Sequence, residues 1–161
     1  MTSNDTNVYA FNANGCGAAT CSPLWKGTTG GALNSIAAVA NGVLYIGSND
    51  TYLYAFDATD CGAATCAPLW KGTTAGQVIS WPAVANGLVF VCSNDGKLYA
   101  FDASGCGAAT CASLWTYTTG GAIWSGPVVA NGVVYAASTD DNLYALMLSG
   151  ALARSSPAKR R

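Results

Sequence analysis

Six of the seven cysteines stand in three identical Cys-Gly-Ala-Ala-Thr-Cys segments: Cys16/Cys21, Cys61/Cys66 and Cys106/Cys111. Two thiols at this spacing can close a local disulfide or supply half of a tetrahedral zinc site. Zinc needs four ligands, so two segments would have to meet, and the chain has no histidine to help complete a set. A redox pair of the Cys-x-x-Cys type is excluded, because four residues separate each pair here. The spacing therefore favours a disulfide within each segment, with zinc as the alternative. Paired cysteines at this density point to an oxidising compartment, extracellular or periplasmic. Closing a loop of about six residues contributes roughly 2 kcal/mol in the chain-entropy model. That is small, so the bridge is expected to shape and protect an exposed loop rather than to hold the fold together.

General acid–base chemistry has little to draw on. There is no His and no Glu, and all eight acidic residues are Asp. Four of the seven basic residues, Arg154, Lys159, Arg160 and Arg161, lie in the last eight positions; the rest of the chain sets three Lys against those eight Asp. An acidic body of this kind carries no electrostatic footprint for nucleic acid. No run of apolar residues is long enough for a membrane-spanning helix, and Met1 to Asn7 lacks the basic and apolar regions of a signal peptide.

These residues recur because the chain repeats. Val8–Tyr52, Leu53–Lys97 and Leu98–Asn142 align at a period of 45 residues without insertion or deletion, and a fourth unit opens at Leu143-Tyr-Ala-Leu146. Each unit reads as four short strands. Asn41-Gly42, Asn86-Gly87 and Asn131-Gly132 sit between apolar runs, and Asn-Gly is the preferred pair for a two-residue type I′ hairpin. Ser93-Asn-Asp-Gly96 supplies a second turn, and Leu98-Tyr-Ala-Phe101 a further strand. Leu88-Val-Phe-Val91 is continuously apolar, as befits a strand covered on both faces. Four strands per unit at this period predict an all-β fold of propeller blades. A β-solenoid has shorter coils and no need for repeated tight hairpins. Three such units do not close a ring, because propellers have four to eight blades. The expectation is an incomplete propeller or half of an oligomeric ring over residues 1–148, with a disordered basic tail at 149–161.

The recurring segment, Leu-Tyr-Ala-Phe-Asp-Ala, a loop, Leu-Trp, and then Pro-Ala-Val-Ala-Asn-Gly, resembles the PQQ-like β-propeller repeat. That family includes quinoprotein alcohol dehydrogenases and an outer-membrane assembly lipoprotein. The resemblance covers Val8 to about Leu146. It implies a blade-docking motif, carried here by Asp57 with Trp70, Asp102 with Trp115, and Trp25, whose unit has Asn12 in place of the Asp. The cysteine loop changes the usual distance between Asp and Trp. The WD-repeat alternative is weaker, since its signature dipeptides are absent.

The resemblance does not carry a cofactor site across. The calcium site of the quinoprotein dehydrogenases includes Glu, absent here, and their redox disulfide joins adjacent cysteines. No cofactor, metal or catalytic residue is assigned, and the chain is expected not to be an enzyme. Asp50, Asp95 and Asp140 fall in hairpin turns, and Asp57 and Asp102 follow a strand, so turn and capping duty accounts for both sets. Cys92 has Gly47 and Ala137 at its equivalent positions, which reads as a buried packing thiol. Trp81 and Trp124 break the repeat and are candidates for an aromatic binding surface or for core packing. The expected function is a binding or scaffold module for a protein or glycan partner, with a possible homo-oligomer or a longer propeller as its setting. The alternatives are a fragment of a quinoprotein dehydrogenase and the ectodomain of a membrane receptor or kinase.

Overall fold

The computed structural model describes residues 3–148 and the backbone of residues 154–157. All regular elements among them are strands, arranged as four successive blades. The first contains β1 (Asn7–Ala10) paired antiparallel with β2 (Trp25–Thr28). The second runs from the inside outward as β3 (Ala38–Ala40), β4 (Val43–Gly47) and β5 (Tyr52–Asp57); after the short β6 (Thr65–Cys66), β7 (Trp70–Thr73) forms its outer strand. The third repeats this order with β8 (Ala83–Ala85), β9 (Leu88–Cys92) and β10 (Lys97–Asp102), then, beyond β11 (Thr110–Cys111), β12 (Trp115–Thr118). The fourth contains β13 (Val128–Ala130), β14 (Val133–Ala137), β15 (Leu143–Met147) and β16 (Arg154–Pro157). This is the expected incomplete propeller, with blade boundaries offset from the sequence repeat, which opens on a third strand.

The hairpins form where the turn chemistry requires. At each Asn-Gly tip both residues take positive φ: Asn41, Asn86 and Asn131 at 52°, Gly42, Gly87 and Gly132 at 74° to 76°. That is the type I′ geometry, whose twist matches the flanking strands. The second turn of each blade places Thr6, Thr51, Gly96 and Asp141 at φ between 65° and 79°.

Residues 149–161 were expected to lie outside the blades. Only the backbone of Arg154–Pro157 is described there, and it runs antiparallel to β15, with Arg154 opposite Met147 and Pro157 opposite Tyr144. The other residues of that segment lie outside the described residues.

The apolar cores lie between blades. One joins the first two through Val8, Trp25, Ile46 and Phe56. The next joins blades two and three through Tyr45, Trp70, Val89 and Phe101. The last joins blades three and four through Phe90, Leu98, Val134 and Leu146. At the first two junctions an outer-strand glycine faces the next blade's phenylalanine. A Cβ on Gly27 would lie 2.6 Å from the Phe56 ring, and one on Gly72 2.6 Å from the Phe101 ring. At the third junction Tyr117 takes the glycine's place and Leu146 the phenylalanine's, and the two pack in one cluster. Volume is exchanged across the junction, as close packing demands.

Gly72→Ala should therefore overpack the second junction and destabilise the protein by about 1–3 kcal/mol. Adding Phe101→Leu should restore part of that loss, whereas Phe101→Leu alone leaves a void. A double-mutant cycle in urea checks this; additive effects would mean that the two positions do not share the space.

Candidate functional site at the blade junctions and lead-in loops

Each cysteine segment is closed by its own disulfide: Cys16–Cys21, Cys61–Cys66 and Cys106–Cys111. Two of the loops do more than shape themselves. The second half of the Cys61–Cys66 loop is β6, which pairs parallel with β2 of the preceding blade, Thr65 opposite Lys26 and Cys66 opposite Gly27. The Cys106–Cys111 loop does the same through β11 on β7, Thr110 opposite Lys71 and Cys111 opposite Gly72. Just before each pair, the Lys26 amide donates to the Ala64 carbonyl and the Lys71 amide to the Ala109 carbonyl, both at 3.0 Å. Cys66 and Cys111 are 2% and 3% exposed and belong to the inter-blade cores. The loop was expected to be exposed and without a part in holding the fold. It is exposed apart from Cys66 or Cys111, but its last two residues add an edge strand that ties a blade to its predecessor, because the free edge of β2 or β7 offers unpaired amides and carbonyls that the loop backbone satisfies.

The tryptophans sit under these loops. Trp25 lies 6.4 Å from Phe56 of the next blade, and Trp70 lies 6.1 Å from Tyr45 and 6.2 Å from Phe101, ring to ring. Gly105, in the next blade's cysteine loop, crosses the Trp70 indole so closely that a Cβ there would lie 2.7 Å from it. Trp115 packs on Phe90 and is only half-buried, where Trp25 and Trp70 are buried. No loop strand is paired with β12 among the described residues. The aspartates of the docking motif face elsewhere. Asp57 Oδ1 accepts from the Thr59 amide at 2.9 Å and its hydroxyl at 2.6 Å; Asp102 Oδ1 accepts from the Ser104 amide at 2.8 Å and its hydroxyl at 2.5 Å. Both cap their own turn, and these bonds hold both carboxyls below their ordinary range.

A different set of aspartates reaches across the junctions. Asp50 Oδ2 accepts from the Tyr54 hydroxyl at 2.6 Å and from the Gly30 amide of the preceding blade at 2.9 Å. Asp140 Oδ2 accepts from Tyr144 at 2.6 Å and from the Gly120 amide at 2.7 Å. Asp95 accepts from Tyr99 and from the Ala75 amide. Asp5 accepts from Tyr9 at 2.6 Å. Turn duty alone does not describe these residues. The signal was present as an Asp four positions before a Tyr in every unit, but the cross-blade amide carries no side chain to mark it.

The symmetry-breaking aromatics lie on the segments that lead from an outer strand into the next inner strand. Trp81 is 43% exposed, Trp124 61%, and Ile36, the repeat equivalent of Trp81, 64%. Of the two uses open to the tryptophans, exposure at the surface is the one observed. Gly126 stands at the third equivalent position, and the Trp81 indole occupies the space its Cβ would need, 2.1 Å away. Trp81 and Trp124 thus flank one short stretch of backbone. Val39 and Val128 are exposed on the inner strands β3 and β13. Cys92 is buried beside the Ser80 hydroxyl, which bonds both its amide and its carbonyl, and burial pushes its thiol up to about 12. Among the described residues no three His, Cys, Asp or Glu side chains converge to hold a metal ion.

The Asp–Tyr pairs set the pH range. Burial first, then the bond to Asp50 or Asp95, raises Tyr54 and Tyr99 to about 12. A raised tyrosine favours the protonated form when folded, so its contribution is complete below the ordinary value of 10.0 and lost as pH climbs to about 12. The bonds from Tyr9 and Tyr144 lower Asp5 and Asp140 to about 2. Their contribution is present above the ordinary 3.8 and lost as pH falls to about 2. The melting temperature should therefore be flat at neutral pH and decline over both windows. Tyrosinate absorbance should show a late-titrating class that disappears on unfolding.

The chain matches the family model of the outer membrane protein assembly factor BamB over residues 4–106. No curated protein matches it significantly. Among solved structures it is similar to BamB from Moraxella catarrhalis, at TM-score 0.57 and 17% identity, covering 91% of this chain and 54% of that one. It is also similar to the computationally designed Ika8 protein, at TM-score 0.60 and 16% identity, covering 83% of this chain and 39% of that one. It therefore spans about half the length of these structures or less, and at this identity they speak for the fold. Consecutive four-stranded blades and a match over most of the chain agree: this protein belongs to the BamB family of PQQ-like β-propeller repeats.

Proposed function

We propose that this chain is a non-catalytic binding module of an extracellular or periplasmic propeller, and that its partner is a protein segment with apolar side chains. The observation that carries the reading is the exposed tier of Trp81, Trp124 and Ile36 on consecutive lead-in loops. An exposed cluster of large apolar residues at a place where the repeat changes identity is what an interface needs. Aliphatic Ile36, Val39 and Val128 alongside the tryptophans favour an apolar peptide over a sugar, which would need flanking hydrogen-bond donors and acceptors. The three disulfides support an oxidising compartment. Membership of a family named for an outer membrane protein assembly factor supports a protein partner. The blades needed to close the ring come from a second copy or from the rest of a longer chain.

A displayed library of random peptides tests this. Selected peptides should be rich in aromatic and aliphatic residues and should perturb tryptophan fluorescence. The Trp81→Ala, Trp124→Ala variant should bind them at least tenfold more weakly, about 1.4 kcal/mol, with its melting temperature nearly unchanged because both rings are exposed. Binding to a glycan array without peptide selection, or peptide affinity that ignores both substitutions, would overturn the reading.

A further inference from the structure

The cysteine loops join two features: a bridge that a thiol can open and a strand that holds neighbouring blades. Within Cys61–Cys66 and Cys106–Cys111 the two sulfurs face different surroundings. Cys61 and Cys106 are exposed, while Cys66 and Cys111 are buried against the preceding blade. Cys16–Cys21 has the same sequence and its own bridge, but Cys21 is only half-buried and no strand of the described residues pairs with it. Among the described residues two copies of the loop are thus docked and one is not.

We propose that Cys61–Cys66 and Cys106–Cys111 are thiol–disulfide exchange sites that set whether adjacent blades are clasped at their outer edge, the co-reactant being an external dithiol. A thiolate of the dithiol attacks the exposed Sγ of Cys61 or Cys106 and breaks the protein S–S bond; Cys66 or Cys111 leaves and takes up a proton. The second thiol of the reagent then attacks the mixed disulfide and releases Cys61 or Cys106 as a thiol. Two electrons and two protons pass to the protein, and the dithiol becomes a disulfide. Attack is disfavoured while the loop is docked, because the leaving sulfur would carry its charge inside an apolar core. Linkage makes this reciprocal: if docking resists reduction by some factor, reduction weakens docking by the same factor. Once the bridge is open, the loop regains the freedom that ring closure removed, and its parallel pairing with β2 or β7 has to order a floppy segment.

The experiment uses the full chain in dithiothreitol buffers of graded thiol-to-disulfide ratio. Quenched alkylation and mass spectrometry read the state of each loop, and hydrogen exchange reads the Lys26 and Lys71 amides. Cys16–Cys21 should open first, at least tenfold faster than the other two. Opening it should leave Lys26 and Lys71 protected. Opening Cys61–Cys66 should speed exchange at Lys26 tenfold or more, and opening Cys106–Cys111 should do the same at Lys71, while amides of β9 and β10 stay protected. The Cys61→Ser, Cys66→Ser variant should release Lys26 without any reductant; should it fail to fold, the reduction series on the unaltered chain decides alone. Equal reduction rates for all three loops would overturn the proposal. So would unchanged exchange at Lys26 and Lys71 after reduction, or loss of protection in every blade at once, which would make the bridges part of global stability.

Discussion

Everything in this chain depends on the fact that a blade cannot bury its own faces. Leu88-Val-Phe-Val91 sends apolar side chains to both sides of its sheet, and Val89, Phe90 and Val91 are all fully buried. A single four-stranded sheet would leave both faces in water, at about 25 cal/mol for each Å² of apolar surface. Each blade is therefore stable only between neighbours, and stability becomes a sum over junctions, as in other repeat architectures. The glycine-to-phenylalanine fit of the first two junctions and the tyrosine-to-leucine fit of the third solve the same packing problem with the bulk on opposite sides.

Stacking apolar faces fixes how close two blades come but not how they are aligned along their strands. That second demand falls on directional groups at two levels. Near the second turns, a carboxylate bonds both its own blade's tyrosine and an amide of the preceding blade, as Asp50 does with Tyr54 and Gly30. At the outer edge, the cysteine loop lays its backbone against the previous outer strand. Between these levels, the buried Tyr45 hydroxyl crosses from the second blade to the Ala103 carbonyl of the third at 2.7 Å. A sliding of one blade on another would break directional bonds at all three levels and would strand the buried Tyr45 hydroxyl, and that cost makes the register specific.

The elements within a blade were legible because their signals are local. The Asn-Gly pairs, the turn at Ser93-Asn-Asp-Gly96 and the alternation of apolar runs each need only a few residues of context, and the strands lie where those signals put them. What joins blades was not legible in the same way. Cys111 meets Gly72 across 39 positions, and Gly30 meets Asp50 across 20. An amide on one side leaves no mark on residue type. The cysteine loop misled for a related reason: its Gly and Ala residues have nothing to bury and are exposed, yet it is the backbone of the loop that binds. The docking aspartates Asp57 and Asp102 came from a resemblance whose Asp-to-Trp spacing this loop had already altered, and their carboxyls cap their own turns.

A repeat protein also shows where its constraints relax. Where a glycine faces a phenylalanine across a junction the change is compensated, as Gly72 with Phe101 becomes Tyr117 with Leu146. The lead-in positions obey no such pairing: Ile36, Trp81 and Gly126 occupy one structural place, and Asn34, Ile79 and Trp124 the place two residues before it. Core packing would not tolerate a series from isoleucine to tryptophan to glycine without a compensating change opposite. Gly126 makes room for the ring of Trp81, which places that ring across the surface instead of into a core. Variation on this scale, at exposed residues held by a frame that scarcely varies, separates the two tasks of the chain: the junctions build the arc, and the loops that cross it are free to be shaped for what they bind.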